Sequence, residues 1–207
     1  MKLPRPPLLV ITDRRAARAP LDAIAAAAFA GGCRWLSLRE KDLQHDERVA
    51  LLRKLVAVGK VHGARVMVHE DVAAAQAAGA AGVHLPAGGS PIAARQALGD
   101  GALIGLSAHD YDDIVRAETE GADYVTLSPV FASASKPGYG PALGLDELAD
   151  LTAKSLVPVL ALGGVAAATA AACVAAGAAG IAVMGAVMTA ADPRAATSAL
   201  VAGLGLS

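Results

Sequence analysis

Apolar residues along this chain fall in short, nearly unbroken runs rather than in long amphipathic stripes. Eight stand out: LLVIT, RWLSLRE, RVMVH, AGVHLP, ALIGLSA, DYVTLSP, PVLALGG and GIAVMG. Runs of this length, closed by turn-forming residues, predict strands buried on both faces, as in a parallel sheet covered by helices. Mostly alanine-rich segments lie between them and after the last, and predict helices over 19–30, 45–61, 70–78, 91–98, 110–120, 145–153, 165–176 and 191–203. A junction recurs as AGAAGVHLP, EGADYVTLSP and AGAAGIAVMG, with GGCRWLSLR as a looser copy. In each, a glycine stops a helix in left-handed geometry and a strand follows. Eight such units in 207 residues predict a compact (β/α)8 TIM barrel forming one domain over residues 1–207. A doubly wound open sheet is the runner-up, but it would use fewer strands or more chain.

Two stretches depart from this rhythm. The span from Ser155 up to Asp192 is uncharged, and hydropathy alone would suggest a membrane helix there. Pro158 and the glycines at 163, 164, 177, 180 and 185 instead divide it into strand, helix and strand. The second stretch is SPVFASASKPGYGPALG, from Ser128 to Gly144. Structureless loops of that length in compact domains cover a site or are disordered.

Composition narrows the function classes. With 55% hydrophobic residues and a formal charge of −1, the chain can bury a substantial core and has no electrostatic bias toward nucleic acid. Cys33 and Cys173 lie far apart without metal-ligand spacing, so both are expected to be buried thiols. The start, MKLPRPPLLVITDRR, lacks the apolar core of a signal peptide, because LLVI is closed at once by Asp13 and two arginines. A cytoplasmic protein with no membrane partner is expected, and a homo-oligomer is compatible with the sequence.

A barrel of this kind builds its chemistry at the C-terminal ends of the strands and in the loops that follow. The candidates are Thr12 and Asp13; Arg39, Glu40 and Lys41; His69, Glu70 and Asp71; His84; Ser107 and His109; Ser128 with the long loop; and Gly163, Gly164 and Gly185. Glycines close both of the last two strands, in LALGGV and, beside Met184, in AVMGAV. Their N–H groups can approach a phosphate with no Cβ in the way, although the same glycines would serve a plain tight turn. In LREKD, Arg39 and Lys41 flank Glu40 and can face one anion, or form surface ion pairs. In VHED, Glu70 is the better candidate for Mg²⁺, which takes few protein carboxylates, while Asp71 suits a helix cap. His69 and His84 are acid/base candidates or satisfied core histidines.

Taken in order, VITDRR, LSLREKD, VHEDVAAAQAAGAAGVHL, IGLSAHDYDDIVRAETEGADYVTLSPVFASASKPG, PVLALGGV and AAGIAVMGAVMTAADP resemble the thiamine phosphate synthase and thiazole tautomerase family over nearly the whole chain. The resemblance implies a (β/α)8 barrel that joins hydroxymethylpyrimidine diphosphate to a thiazole phosphate with Mg²⁺ and releases pyrophosphate. It implies Arg39, Lys41 and Ser107 at the diphosphate, and it reads SASK as the family's TxTK loop, with Ser133, Ser135 and Lys136 facing the anionic ligands. Gly163, Gly164 and the Met184–Gly185 turn would hold the thiazole phosphate; from the residues themselves, Glu70 and Asp71 are taken as the metal ligands and His69 as a catalytic group.

The departures from the family pattern bear on mechanism. Ser37 replaces a glutamine, and His69 with Glu70 replaces Asn-Asp. HLPAGGS replaces HLGQxD, so Gly89 stands where a second metal-binding aspartate is usual, and Gly185 replaces a serine. HLP is more like the tautomerase, yet that enzyme's proton-transferring histidine falls on Pro129 here. A transferase with an altered metal site is expected, an isomerase is the alternative, and a non-catalytic binder of thiazole or thiamine phosphate is the third reading.

Overall fold

The structure is a computed structural model that describes residues 3–132 and 141–205. Eight strands run β1 (Leu8–Ile11), β2 (Trp35–Leu38), β3 (Arg65–His69), β4 (Gly82–Leu85), β5 (Leu103–Ala108), β6 (Tyr124–Leu127), β7 (Val159–Leu162) and β8 (Gly180–Val183). All neighbours pair in parallel, and β8 returns to β1, which closes the barrel in strand order 1 to 8. Helices follow the strands in turn: α1 (Leu21–Ala30), α2 (His45–Val61), α3 (Val72–Ala78), α4 (Pro91–Leu98), α5 (Tyr111–Thr119), α6 (Gly144–Lys154) and α7 (Ala167–Ala175). After β8 come a four-residue turn of helix, α8 (Gly185–Met188), and then α9 (Pro193–Gly203).

The near-continuous apolar runs have their physical reason in two buried layers. Leu8, Val10, Leu36, Leu38, Val66 and Val68 pack outward against the helices. Leu9, Ile11, Trp35, Met67, Leu103, Tyr124, Leu160 and Ala182 pack inward and fill the barrel. Gly105 lacks a side chain because the Tyr124 ring occupies its place, with Cζ only 2.2 Å from where a Cβ would sit. Asp71, Ser90, Asp110 and Asp192 each accept the third amide of the helix they start, which fixes where α3, α4, α5 and α9 begin.

The 155–192 span resolves into β7, α7 and β8, as its prolines and glycines predict. Among the described residues no helix is long and apolar enough to cross a membrane. The expected helix over 191–203 begins at Pro193, and α8 was not expected at all. Four residues are too few to show a helical period.

Candidate active site

Inward alternation along the strands delivers a different chemistry at each strand end. Past the Trp35, Met67 and Tyr124 floor, the same faces continue as Ser37 on β2 and Arg39 just beyond it, His69 on β3, His84 on β4, Ser107 on β5 and Thr126 on β6. They open into a cavity of about 680 Å³ at the C-terminal end of the barrel. Arg39, Lys41, His69, Glu70, His84, Ser107 and His109 line one part of it, and Gly163, Gly164, Met184 and Gly185 line another. The volume suits a small-molecule site.

On the β2 and β3 side, charge is organised by the buried Glu40. Its carboxylate accepts from the Thr12 hydroxyl at 2.7 Å and from the Arg14 amide at 3.1 Å, and Thr12 in turn accepts from the Arg39 amide at 2.9 Å. Glu40 therefore pins the loop after β1 to the end of β2 and does not face the cavity. Burial pushes its carboxyl up from the usual range, against the pull of Thr12 and the Arg14 amide. Arg39 lines the cavity and has no carboxylate partner among the described residues.

Lys41 pairs with Glu70 at 2.7 Å on the cavity wall. Glu70 is held at φ 65°, a left-handed geometry that non-glycine residues adopt only where surrounding contacts impose it. The amides of Glu70 and Asp71 donate to the carbonyls of His84 and His69 at 2.9 and 2.7 Å, which fixes that turn. Asp71 faces away from this chemistry. One oxygen caps α3 through the Ala74 amide at 2.8 Å, and the other accepts from Arg48 at 2.6 Å and lies 3.1 Å from His45. Burial would raise its carboxyl, but the amide, Arg48 and His45 outweigh that and hold it low. Among the described residues no three His, Cys, Asp or Glu side chains converge as a metal-holding group.

The floor of the cavity is a hydrogen-bonded polar layer. Ser37 Oγ lies 2.8 Å from His69 Nδ1, and the His69 and His84 rings are 4.7 Å apart. His84 is buried between Tyr124 Oη, 3.0 Å from Nδ1, and the hydroxyls of Ser107 and Thr126, 3.1 and 3.2 Å from Nε2. Burial first, and the Arg39 charge second, push its imidazole down to about 3, so it is neutral at physiological pH. His109 donates from Nδ1 to the Ser128 carbonyl at 2.8 Å. Ser37, Tyr124 and Thr126 were not singled out in the sequence as members of this layer. Their signal was the period-two continuation of strand faces already assigned inward.

The β7 and β8 side is built from backbone. Gly163 and Gly164 sit at φ 94° and 64°, and a Cβ on either would strike the chain after β6, 2.8 Å from Pro129 Cα and 2.5 Å from the Ala132 carbonyl oxygen. The Phe131 amide donates to the Gly163 carbonyl at 2.9 Å, so the same contact fastens the start of the long loop. No acceptor among the described residues takes the amide hydrogens of Gly163, Gly164 or Gly185. Ser133, Ser135 and Lys136 lie outside the described residues.

Comparison with known proteins agrees along the whole barrel. The family profile described as thiamine monophosphate synthase matches residues 8–187. The chain is 40% identical to a thiamine-phosphate synthase of Roseiflexus sp. strain RS-1, over 92% of this chain and 82% of that protein. It is 39% identical to a thiamine-phosphate synthase of Salinispora tropica, over 95% and 96%. A solved structure of thiamine phosphate pyrophosphorylase from Pyrococcus furiosus superimposes with a TM-score of 0.86 at 30% identity, covering 96% of this chain and 95% of that one.

Proposed function

This chain belongs to the thiamine monophosphate synthase family, and on that premise we propose that it is a transferase joining hydroxymethylpyrimidine diphosphate to a thiazole phosphate, with release of pyrophosphate. One observation carries the reading: a single cavity lined both by Arg39, Lys41 and Ser107 and by the Gly163, Gly164 and Gly185 turns. Two differently built anion sites in one chamber suit two phosphorylated substrates. Arg39, Lys41 and Ser107 receive the diphosphate, and the glycine turns with Met184 receive the thiazole phosphate. Ser133, Ser135 and Lys136 of the long loop complete the anionic contacts in this reading.

The reaction breaks the C–O bond between the pyrimidine methylene and the diphosphate, which leaves with the bonding pair. The thiazole nitrogen lone pair then forms the new C–N bond to that methylene carbon. Negative charge grows on the departing oxygen, so preorganised cations and donors aimed there lower the barrier. Arg39 suits this role, because its planar donors can grip two phosphate oxygens and no carboxylate among the described residues already occupies them.

Mg²⁺ belongs to the same proposal. Asp71 is committed to its cap and to Arg48, which leaves Glu70 on the cavity wall. One carboxylate is compatible with an ion that takes its other ligands from phosphate oxygens and water, so Glu70 would hold it beside the diphosphate. When bound, the ion supplies further positive charge to the leaving group. Incubating purified protein with both substrates and Mg²⁺, and following mass and phosphorus NMR, should give thiamine phosphate and pyrophosphate in equal amounts. Neither product, or proton exchange on the thiazole phosphate alone, would overturn the reading, the second in favour of an isomerase.

A further inference from the structure

The geometry points to Tyr124 and His84 as positioning residues that orient the Ser107 hydroxyl as a donor into the cavity. The inference rests on the proposed diphosphate site only for the identity of the anion that Ser107 would meet.

His84 is wedged between three hydroxyl groups, and its imidazole can carry its one proton on either nitrogen. Nδ1 faces Tyr124 Oη at 3.0 Å, and Nε2 faces Ser107 Oγ at 3.1 Å and Thr126 Oγ1 at 3.2 Å. The proton inventory decides between the tautomers. Tyr124 is fully buried, and burial pushes its phenol well up, so its O–H is always present and needs an acceptor. Two acceptors are within reach. One is His84 Nδ1; the other is the Met67 thioether at 3.8 Å, a weak acceptor that already takes the Trp35 indole N–H at 2.9 Å. The stronger bond is Tyr124 Oη–H to Nδ1, which leaves the proton of the neutral ring on Nε2.

That choice propagates to the cavity. With Nε2 as donor, Ser107 and Thr126 both accept from it, and neither hydroxyl spends its own hydrogen on the imidazole. Ser107 is the one of the two that lines the cavity, so its hydrogen points to whatever binds there. In the opposite tautomer Nε2 would accept from one of the two hydroxyls, and where that is the nearer Ser107, its hydrogen is consumed inward and an oxygen lone pair faces the ligand. An anion is attracted by the first arrangement and repelled by the second. Packing holds the relay in register: the Tyr124 ring meets Trp35 edge-on at 4.7 Å, lies 5.5 Å from the His84 ring and fills the space Gly105 leaves.

Histidine nitrogen NMR on the wild-type protein at neutral pH reads the tautomer directly. The expected result is His84 protonated on Nε2 and bare on Nδ1; the reverse overturns the inference whatever the enzyme does. A mutant cycle then reads the coupling, with inorganic pyrophosphate as the probe. Ser107→Ala should weaken binding about tenfold and Tyr124→Phe about threefold, as for hydrogen bonds to a charged ligand and for their loosened orientation. The double variant should bind no worse than Ser107→Ala within about twofold, because Tyr124 acts only through that hydroxyl. Multiplying losses would show a merely structural tyrosine and would overturn the relay. If the wild type bound no pyrophosphate, the diphosphate reading would fall, and the tautomer would still decide the relay.

Discussion

The two sides of the cavity are made in opposite ways. From β2 to β6 the wall is made of side chains, most of them already bonded to one another: Ser37 with His69, His84 with Tyr124, Ser107 and Thr126, Lys41 with Glu70. At β7 and β8 it is made of glycine amides that bond to nothing within the described residues. Under the proposed function, the difference accounts for two unlike anions in one small barrel. A phosphate monoester that is carried through the reaction needs only fixed amides, whereas a departing diphosphate needs charge that responds to the transition state. Arg39 is the exception on the side-chain wall, a cation without a carboxylate partner among the described residues, and under the proposed function turnover is expected to depend on it most.

The largest effect expected follows from that exception. Arg39→Ala should lower kcat/KM about 10³-fold, the scale for removing a principal donor to developing charge, while leaving thiazole phosphate affinity nearly intact. Steady-state kinetics beside equilibrium binding would break the comparison if both fell together. Next comes the amide wall. Gly164→Ala places a methyl 2.5 Å from the Ala132 carbonyl at φ 64°, and should cost about 3 kcal/mol of stability together with most of the thiazole phosphate affinity. Urea unfolding and calorimetric titration would measure the two losses.

The buried polar layer predicts a smaller, pH-dependent effect. In the unfolded chain His84 takes a proton near pH 6.5, but folded it resists until about 3. The unfolded state therefore binds more protons between those values, and stability is intact above pH 6.5 and falls as pH drops below it. The loss from this residue should be about 2 kcal/mol at pH 5, and His84→Gln should remove that part of the slope in urea melts at pH 7.5 and 5. The smallest effect separates Asp71 from Glu70. Asp71→Asn should cost about 1 kcal/mol at pH 7, a gap that begins to close as pH falls below about 3.8, where the unfolded carboxyl takes up its proton, and vanishes only lower, where the folded one is protonated too. It should leave the Mg²⁺ dependence of turnover unchanged, whereas Glu70→Ala should alter it. A changed metal response in Asp71→Asn would erase the distinction.

Much of this was legible in the sequence, for reasons that differ by residue. The strand ends at Arg39, His69, His84, Ser107, Gly163 and Gly185 could be placed because apolar runs and glycine junctions mark each barrel unit, and the structure brings them to one cavity. Glu40 could not be read correctly in isolation. Flanked by Arg39 and Lys41 it looked like part of a charged surface, yet it is buried beneath the loop after β1 because Thr12 and the Arg14 amide come to it from 26 to 28 residues away. Tyr124 and Thr126 were hidden inside an apolar run, where a polar tip gains meaning only once His84 is known to lie opposite. For the glycine pair the structure supplies a packing reason, close approach to Pro129 and Ala132, and leaves their amide hydrogens without an acceptor among the described residues, so the phosphate role stays a proposal.

The contrast between the two walls is tested most directly by titrating nitrogen-15-labelled protein, wild type and Arg39→Ala, with thiazole phosphate alone and following backbone amide shifts. The account predicts that Gly163, Gly164 and Gly185 move most and that both proteins bind with the same dissociation constant to within about twofold. Unmoved glycine amides, with binding that collapses in Arg39→Ala, would contradict it.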